Sequence, residues 1–346
     1  MKIINSVRSI AVAIVIILAI VACQGQPYQP DTRNTAAVSP RNDCRDVEHA
    51  MGVTKVCGQP QRIVVLGPYL LEPLLALDMQ PIAFADNANF HQGDYTNPSK
   101  QIPYLGTRIA NPIANVGVAY APSIEAILKV QPDLILGLDI NNKRQYPILS
   151  NIAPTIILKW TDPEINLKEI AQAINRSPQA EQLIANTKQE IAAARQAFEP
   201  IVKTDPKMLL LISSELREMT LGTKRHGLCT ALLQDLGFQL VYPPKQEEAL
   251  APISLETLPQ LNQADRVLLL GNNFSNPNQF KRASSFEESQ LANLKQAWSK
   301  NAIAQSLKAS KAGKVYFVPT YLCLGLPGTI GTHLYLDELK KQILSS

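Results

Sequence analysis

The segment "APSIEAILKVQPDLILG", residues 121–137, returns in altered form as "APISLETLPQLNQADRVLLLG", residues 251–271. Both copies begin with Ala-Pro, place a Glu where a helix should start, and reach an Asp before an apolar run that ends in Gly. A helical segment that leads into a buried apolar strand is half of a strand–helix–strand unit, the building block of parallel sheets. The repeat therefore predicts two α/β lobes built to the same plan.

Other parts of the chain continue this alternation of strands and helices. Short apolar runs bounded by Gly, Pro or Asp predict buried parallel strands at residues 62–67, 81–86, 133–138, 155–158, 207–214, 237–242, 266–271 and 314–319. Helical stretches are predicted at residues 70–78, 123–130, 228–236 and 329–344. The fold class that follows is α/β, with two Rossmann-like lobes and a mainly parallel sheet in each.

A long helix is predicted between the two lobes. In "SPQAEQLIANTKQEIAAARQAF", residues 177–198, Ser177 is a suitable N-cap, Pro178 suits the first helical position, and Pro200 should end the run. One helical face consists of Leu183, Ile184, Thr187, Ile191, Ala194 and Phe198. These 22 residues would span about 33 Å, so we expect one rigid helix to join the lobes.

The N-terminus carries the signals of an exported lipoprotein. Two positive charges in "MKIINSVR" precede the uncharged run "AVAIVIILAIV", which has the length of a signal-peptide core and is short for a membrane span. The run ends in "IVAC", which resembles the lipobox of bacterial lipoproteins and implies cleavage before Cys23, diacylation of its thiol and attachment to a membrane. The alternatives are an uncleaved anchor helix or an ordinary signal peptide with a chance cysteine. Each of these predicts export.

Export permits disulfides among the other four cysteines. Cys44 and Cys57 flank "RDVEHAMGVTKV", which predicts two short strands about a Met-Gly turn, and a bridge would stabilise a segment with little core of its own. Two free buried thiols are the alternative. The even count also favours a bridge between Cys229 and Cys323, whose geometry the sequence leaves open.

These features divide the chain into segments and exclude one class of partner. The predicted segments are a signal peptide at residues 1–22, a flexible tether at 23–42, a first lobe at 43–165 that begins with the hairpin at 43–58, a connecting helix at 166–203 and a second lobe at 204–346. The net charge of +4 is small and dispersed, which argues against nucleic acid as a partner.

The order and spacing of these segments resemble a known family. "PQRIVVL", "PSIEAILKVQPDLIL", "LSNIAPTIIL" and "LLQDLGFQLV", together with Cys23 and the long helix, resemble the iron-siderophore and cobalamin class of ABC-transporter substrate-binding lipoproteins. The similarity runs from about Arg62 to Leu344, and the lead-in "CRDVEHAMGVTKVCGQPQRIVVL" is most similar to the ferric-siderophore type.

The resemblance implies a function and a set of partners. We expect a monomer without catalytic activity or cofactor, whose two lobes enclose a ferric siderophore or a ferric citrate-like chelate in a cleft beside the long helix. The lobes would open little, because the helix resists bending. A permease dimer with its ATPase would receive the ligand, and lipid on Cys23 would hold the protein on the membrane. A haem or cobalamin binder of the same class is the alternative.

The Glu of each repeat copy is the predicted docking residue. In similar proteins, the Glu at this position of each lobe meets arginines on the permease, so the resemblance assigns that role to Glu125 and Glu256. One carboxylate per lobe suits a partner with two subunits. The alternative is purely structural, because a carboxylate in the first turn of any helix offsets the helix dipole.

Candidate ligand-binding residues lie in loops at the carboxyl ends of the predicted strands. They are Tyr69, Tyr104, Arg108, Trp160, Arg217, Arg225 and Tyr321. Arginine suits the paired oxygens of an anionic ferric chelate, and we expect at least two of the three arginines to face the cleft. Each arginine could instead be a solvated surface charge, and the aromatic residues could belong to the core or its rim.

The segment before the last helix departs from the family pattern. "TYLCLGLPGTIGTH", residues 320–333, lacks the Trp and Arg that similar proteins often place there, which weakens the case for a strongly anionic ligand. The backbone N–H groups of Gly325, Gly328 and Gly331 could bind an anion at the helix start, although a tight turn explains these glycines more simply.

Two rival functions have less support in the sequence. A zinc or manganese carrier needs several convergent ligands, whereas His49, His91, His226 and His333 are scattered, so no direct metal site is predicted. The enzyme motifs G-x-S-x-G, G-K-[ST] and H-E-x-x-H are absent from the sequence. A binding protein that reports to a sensor instead of a permease would show the same docking surface.

Overall fold

Two strand-rich lobes follow an N-terminal hairpin, as the sequence predicts. The computed structural model describes residues 43–88, 90–217, 219–243, 252–272 and 286–345, and the part from Cys44 to Ser346 is one unit. The predicted signal peptide and tether, with Cys23, lie outside the described residues. Among the described residues, no helix combines the length and apolarity needed to cross a membrane.

The first lobe contains the hairpin and a six-stranded sheet. The strands are β1 (Cys44–His49), β2 (Gly52–Cys57), β3 (Ile63–Leu66), β4 (Ala83–Asp86), β5 (Ala114–Val118), β6 (Ala121–Pro122), β7 (Leu134–Leu138) and β8 (Thr155–Leu158). Strands β1 and β2 pair antiparallel as the hairpin. The sheet has the order β6-β5-β4-β3-β7-β8, and all neighbours are parallel except β5 and β6.

The second lobe is built around another six-stranded sheet. Its strands are β9 (Lys207–Ser213), β10 (Met219–Leu221), β11 (Gln239–Leu240), β12 (Pro252–Ile253), β13 (Arg266–Gly271) and β14 (Val315–Pro319). The order is β12-β10-β9-β13-β14, and β11 pairs with β9. Strand β10 is antiparallel to both of its neighbours, whereas the remaining pairs are parallel.

Twelve α-helices are found in the described parts of the chain. They are α1 (Pro68–Ala76), α2 (Pro98–Gln101), α3 (Ile124–Lys129), α4 (Asp139–Asn142), α5 (Tyr146–Leu149), α6 (Pro163–Ala173), α7 (Ser177–Thr204), α8 (Leu228–Asp235), α9 (Phe286–Lys300), α10 (Ala302–Ser306), α11 (Lys308–Lys311) and α12 (Thr329–Leu339). Short 3₁₀ turns lie at Gly106–Arg108, Lys224–His226, Leu255–Leu261 and Thr320–Leu322, and the π-helical turn Lys340–Leu344 follows α12.

The repeated segment occupies equivalent positions in the two lobes. Each copy supplies a two-residue antiparallel edge strand (β6 or β12), then a helical turn, then a strand (β7 or β13) parallel to the first sheet strand of its lobe. The helical turn is α-helical in the first copy and 3₁₀ in the second. Pro259 lies inside the second and has no N–H for an α-helical bond, which favours the 3₁₀ form.

All eight predicted strands are present, and three of the strands that the sequence did not predict share a cause. The eight predicted runs contain β3, β4, β7, β8, β9, β11, β13 and β14, although β11 has only two residues. The polar Asn115 and the glycine Gly117 interrupt β5, and β6 and β12 are only two residues long. Such strands are defined by their partners in the sheet and leave no continuous apolar run in the sequence.

The long helix differs from its prediction at both ends. It begins at Ser177 itself, so Arg176 is the N-cap and the expected capping role of Ser177 is wrong. It also continues through Pro200 to Thr204. Pro200 is exposed, so the carbonyl that loses its helical bond can be hydrated, and Ile201 and Val202 pack on the second core. The interval 166–203 is not one helix, because Asn175 has a positive φ of 58° between α6 and α7.

The two halves of α7 are buried in different cores. Ala180 and Ile184 belong to the core that includes one face of the first sheet, and Ala194 and Phe198 belong to a core of the second lobe. Residues from the end of the chain, such as Leu326 and Ile330, also lie in the first of these cores. The lobes are therefore joined by shared apolar packing as well as by the chain.

Two disulfides are present, the predicted Cys44–Cys57 bridge and the Cys229–Cys323 bridge that the sequence left open. Cys44–Cys57 closes the hairpin, and Cys229–Cys323 joins α8 to the segment after β14. The second bridge closes the longer loop, with a sequence separation of 94 against 13. Because a cross-link removes more conformational freedom from the unfolded chain when its loop is longer, the Cys229–Cys323 bridge should contribute more to stability.

We predict that replacing Cys229 and Cys323 by alanine lowers the free energy of unfolding by about 5 kcal/mol, against about 3 kcal/mol for the pair Cys44 and Cys57. Urea unfolding of the two double variants under oxidising conditions measures both values. An equal loss in the two variants would show that loop length does not decide the contribution.

Candidate ligand-binding site

Two aromatic side chains form a wall at the carboxyl ends of the first lobe's strands. Tyr69 lies in the first turn of α1, directly after β3, and Trp160 follows β8. Their ring centroids are 4.7 Å apart, and the Tyr69 hydroxyl donates a hydrogen bond to the Trp160 carbonyl. The structure thus brings two of the predicted site residues into direct contact.

Two cavities lie against this wall and together form what we call the cleft. The smaller cavity, of about 130 Å³, lies between the Tyr69–Trp160 pair and the second-lobe turn Lys224–His226. The larger cavity, of about 460 Å³, is also lined by Trp160 and by Leu324, which the two cavities share. A space of this size and position is typical of ligand sites in parallel α/β proteins.

Both lobes supply residues to the larger cavity. Asn87 and Ala88 follow β4, Asn272 follows β13, and Tyr321 follows β14. Tyr321 is 2% exposed, so its ring forms part of the floor. The predicted residue Tyr104 lies behind this floor, where its ring stacks on Tyr321 with centroids 5.8 Å apart.

A basic turn faces the aromatic wall from the second lobe. Lys224 and Arg225 are exposed and line the smaller cavity. The turn is held by His226, whose Nδ1 accepts a hydrogen bond from the Thr223 N–H at 3.0 Å. Burial lowers the pKa of His226, which favours the neutral imidazole that this bond requires. The turn therefore presents two cationic side chains to a ligand on Trp160.

The three candidate arginines are separated in the structure. Arg225 lines one of the two cavities, whereas Arg108 and Arg217 line neither. Arg217 is exposed in the turn after β9. Arg108 ends a 3₁₀ turn and is also exposed, and its charge partly opposes the rise in the pKa of Glu72 that burial causes. The described cleft thus contains less arginine than the family resemblance implies.

Asp86 is a buried acid beside the larger cavity that sequence reasoning missed. It ends β4 with 2% exposure, and its Oδ1 accepts a hydrogen bond from the Asn87 N–H at 2.6 Å. Its Oδ2 has no hydrogen-bond partner among the described residues. Burial raises the pKa of Asp86 to about 7. The sequence feature that could have identified Asp86 is its position as an acidic residue at the end of an otherwise apolar strand.

Glu72 is the second missed residue, and it connects the two lobes. It lies on α1 and is fully buried. Its Oε2 accepts a hydrogen bond from the Gly328 N–H and its Oε1 one from the Gly331 N–H, both at 2.7 Å. These donors lie at the N-terminus of α12, where unpaired N–H groups and the helix dipole favour an anion. We call this contact the Glu72 clamp.

The clamp explains the glycines before the last helix. The N–H groups of Gly328 and Gly331 do bind an anion, but the anion is a side chain of the first lobe, whereas the Gly325 N–H donates to the Tyr321 carbonyl. A Cβ atom at Gly328 would lie 3.0 Å from the Glu72 carboxylate, and one at Gly331 only 1.6 Å from the Leu326 carbonyl oxygen. Gly325 is also confined, since its Cβ would lie 2.9 Å from the Tyr321 carbonyl oxygen. These close contacts, with the Glu72 carboxylate and with the Leu326 and Tyr321 carbonyl groups, explain why the three positions are glycine.

The lobe architecture and cleft fit the result of a comparison with known families. A sequence model described as "Periplasmic binding protein" matches residues 63–322. The chain belongs to the periplasmic binding protein family. Proteins of this type bind substrates for ABC transporters, so the prediction of a substrate-binding protein that is not an enzyme is confirmed.

Curated relatives of this periplasmic binding protein match most of its length. "Probable siderophore-binding lipoprotein YfiY" of Bacillus subtilis is 24% identical over 352 residues, which cover 98% of this chain and 99% of the relative. "Fe(3+)-citrate-binding protein YfmC" of the same organism is 26% identical over 315 residues, which cover 89% of each chain.

Solved structures of other binding proteins share the fold. Staphylococcus aureus SirA complexed with staphyloferrin B has a TM-score of 0.67 at 21% identity, covering 87% of this chain and 98% of that one. Bacillus subtilis FeuA complexed with ferri-bacillibactin has a TM-score of 0.64 at 20% identity, with coverage of 87% and 99%. The predicted two-lobed α/β class is therefore confirmed.

The two candidate docking residues lie on the surface of this binding protein at equivalent positions. Glu125 is in the first turn of α3, and Glu256 is in the first turn of the 3₁₀ segment Leu255–Leu261. Both are exposed. A hydrogen bond with Ser254 lowers the pKa of Glu256, which keeps its carboxylate charged. The geometry is compatible with docking, which stays a prediction.

Metal-ligating side chains converge at one place in the described residues, away from the cleft cavities. Ligand atoms of Glu190, His333 and Asp337 lie within 4.8 Å of one another on the surface of α7 and α12. His333 Nδ1 is 2.7 Å from Glu190 Oε1. His226, by contrast, lines the cleft and uses its Nδ1 to hold the basic turn. The histidines are thus scattered in space as well as in sequence.

We predict that Glu72 makes the protein less stable as the pH rises from about 4.5 to 7. Burial raises its pKa from 4.5 to about 7, so in this window the unfolded chain loses a proton that the folded protein keeps. The free energy of unfolding should fall by about 3 kcal/mol across the window from this group. Urea unfolding between pH 4 and 8 measures it.

The substitution Glu72→Gln separates this contribution from that of Asp86, which acts in the same direction. In Glu72→Gln, the fall in the free energy of unfolding between pH 4.5 and 7 should be about 3 kcal/mol smaller than in the parent protein. In Asp86→Asn, the separate part of the fall that is due to Asp86 should be lost. If Glu72→Gln kept the full slope of the parent protein, the assignment to Glu72 would be wrong.

Proposed function

We propose that this periplasmic binding protein captures a ferric siderophore, or a ferric citrate-like chelate, outside the cytoplasm and delivers it to an ABC permease. The observation that carries the proposal is the pairing of the Tyr69–Trp160 wall with the basic turn Lys224–His226 across one cleft. The printed names of the relatives, which include siderophore and ferric citrate binders, support it.

The chemistry of the cleft suits such a ligand. A ferric chelate has an extended body for aromatic contact and carries oxygen atoms with partial or full negative charge. Trp160 offers a flat ring, and Lys224 and Arg225 offer charge-assisted hydrogen bonds, which are stronger than neutral ones. Asn87 and Asn272 add neutral polar groups in the larger cavity. Because the described cleft contains few cationic side chains, it favours a ligand of modest negative charge.

Capture by this site is non-covalent and needs only modest closure of the lobes. Helix α7 is buried in both lobes, and the Glu72 clamp fastens α1 to α12. Large hinge bending would break these contacts. Closure would instead bring the basic turn and the aromatic wall a short distance together on the ligand.

Export and lipid anchoring complete the proposal. The leader and Cys23 predict a protein held on the outer side of a membrane by lipid on that cysteine, and we expect this protein to be a monomer. The curated relatives include one named as a siderophore-binding lipoprotein and one named as an ABC transporter substrate-binding lipoprotein. A permease dimer and its ATPase are the partners, with Glu125 and Glu256 as the docking residues.

Ligand identity can be tested by Trp fluorescence with ferric siderophores, ferric citrate, haem, cobalamin and zinc. Trp160 lines the cleft and should report binding, whereas Trp298 is 3% exposed in the second-lobe core. We predict that a ferric chelate quenches the fluorescence and that Trp160→Phe abolishes the signal. Quenching by none of the ferric chelates would contradict the proposal, and tight zinc binding instead would favour a free-metal carrier.

The basic turn can be tested with the same titration. Loss of one charge-assisted hydrogen bond should weaken binding by about 10- to 150-fold in Arg225→Ala. Arg144→Ala, an exposed arginine that lines neither cavity, is the matched control and should keep the parent affinity. Arg108→Ala and Arg217→Ala test the other two candidates. An unchanged affinity in Arg225→Ala would remove the basic turn from the site.

Docking can be tested by reversing charge at both carboxylates. The double variant Glu125→Lys/Glu256→Lys should lose ligand uptake by cells or permease-containing vesicles while keeping its ligand affinity, because both residues lie outside the cleft cavities. Glu181→Lys, an exposed glutamate on α7, is the control. Loss of ligand affinity in the double variant would indicate a structural role instead.

A further inference from the structure

A separate cavity lies beside the cleft, between α1, α6, α7 and α12. Its volume is about 270 Å³, and we call it the hinge cavity because α7 joins the lobes. Pro73, Leu167, Ile184 and Ile191 give it an apolar lining. None of these four residues lines either cavity of the cleft. Of the residues assigned to ligand binding so far, Tyr69 alone lines this cavity.

Most of the polar side chains of the lining are already bonded within the protein. Thr187 Oγ1 donates to the Leu183 carbonyl at 2.8 Å, and Thr332 Oγ1 donates to the Gly328 carbonyl at 2.7 Å. The Asn166 amide bonds to both backbone groups of Lys159.

Two of the three acidic side chains of the lining are also engaged, and the third, Asp235, is exposed at the end of α8. Glu72 is held in its clamp, and Glu164 lies 3.4 Å from Lys188 in an exposed ion pair at the rim. An ordered water needs two to four polar partners, and such partners are largely used up here. The cavity is therefore suited to an apolar occupant.

The hinge cavity and the cleft share one wall. Tyr69, Pro163 and Pro327 line both the hinge cavity and the smaller cavity of the cleft. The two prolines have restricted backbones, whereas the Tyr69 side chain can turn about its rotatable bonds once its hydrogen bond to the Trp160 carbonyl is broken. Its ring packs on Trp160, which is the surface expected to carry the ligand. A ligand on Trp160 thus lies against the movable part of this wall.

We propose that the hinge cavity receives an aliphatic chain carried by the ligand, so that the protein binds an amphiphilic ferric chelate. This inference rests on the proposed function. The iron-binding head lies against Trp160 and the basic turn, and the chain passes Tyr69 to pack against Leu167, Ile184 and Ile191. The apolar lining stabilises the chain by removing it from water, without any further hydrogen bond.

The test is a series of ferric chelates that share a head and differ in chain length. One head is citrate, free or as its mono-butyl, mono-hexyl and mono-octyl amides. The other is a linear trihydroxamate whose terminal amine is free or acylated with four, six or eight carbons. Each buried methylene should strengthen binding about fourfold until the cavity is full, after which affinity should level off.

Variants that fill the cavity provide the second arm of the test. Ile184→Phe and Ile191→Phe should flatten the chain-length dependence and leave the affinity for the head without a chain within about twofold. Two variants are used because Ile184 is 8% exposed, so its substitution could disturb folding, whereas Ile191 is only partly buried. Ala185→Phe, on the exposed face of the same helix, is the control and should keep the full dependence.

The outcomes separate this inference from the proposed function. Binding of the bare heads with no gain from the chain would overturn the inference and leave the function standing. Binding of no chelate, with or without a chain, would overturn both. Octanoate alone, measured by calorimetry, tests a free fatty acid as the occupant. Two results together would overturn the inference and assign the cavity to a free fatty acid. Octanoate would bind and Ile184→Phe would abolish that binding, and the acyl chain would add no affinity to the chelates.

Discussion

The contact between Glu72 and the start of α12 holds the two halves of the cleft in register. A carboxylate from the first lobe occupies the N-terminus of the last helix, where it accepts two backbone hydrogen bonds of 2.7 Å. Tyr69 lies one turn earlier on α1, and the segment from Tyr321 to Pro327 directly precedes α12. Burial opposes the charge of Glu72, while the N–H donors and the nearby Arg108 favour it. The cleft is thus shaped by a balance between desolvation and hydrogen bonding.

Helix α7 imposes the second constraint, since each half is packed in a different core. A helix buried in this way cannot act as a free hinge. The Cys229–Cys323 bridge adds to the rigidity beside the ligand, because Cys323 lines the smaller cavity of the cleft. A protein built like this recognises its ligand with a largely preformed site, which lowers the entropy cost of binding. Under the proposed function, such a site suits the bulky head of a ferric chelate better than a small ion.

The sequence predicted the parts of the fold that depend on local pattern. Continuous apolar runs identified β3, β7, β9 and β13, and the repeated segment identified the two lobes. Strand β5 was missed because Asn115 and Gly117 interrupt its apolar pattern and its place is set by pairing with β4. The end of α7 was misplaced because Pro200 is exposed and the packing of the next turn outweighs the hydrogen bond it removes.

By itself, the sequence determined the α/β class, the family and most of the aromatic residues of the cleft. Periodicity, turn residues and segment order are local properties that can be read along the chain. Only the tertiary structure showed that Arg225, and not Arg108 or Arg217, lines the described cavities, and that the anion facing Gly328 and Gly331 is Glu72. The clamp joins residues more than 250 positions apart. No local pattern encodes such a contact, because a buried carboxylate is stable only where the folded chain brings donors to it.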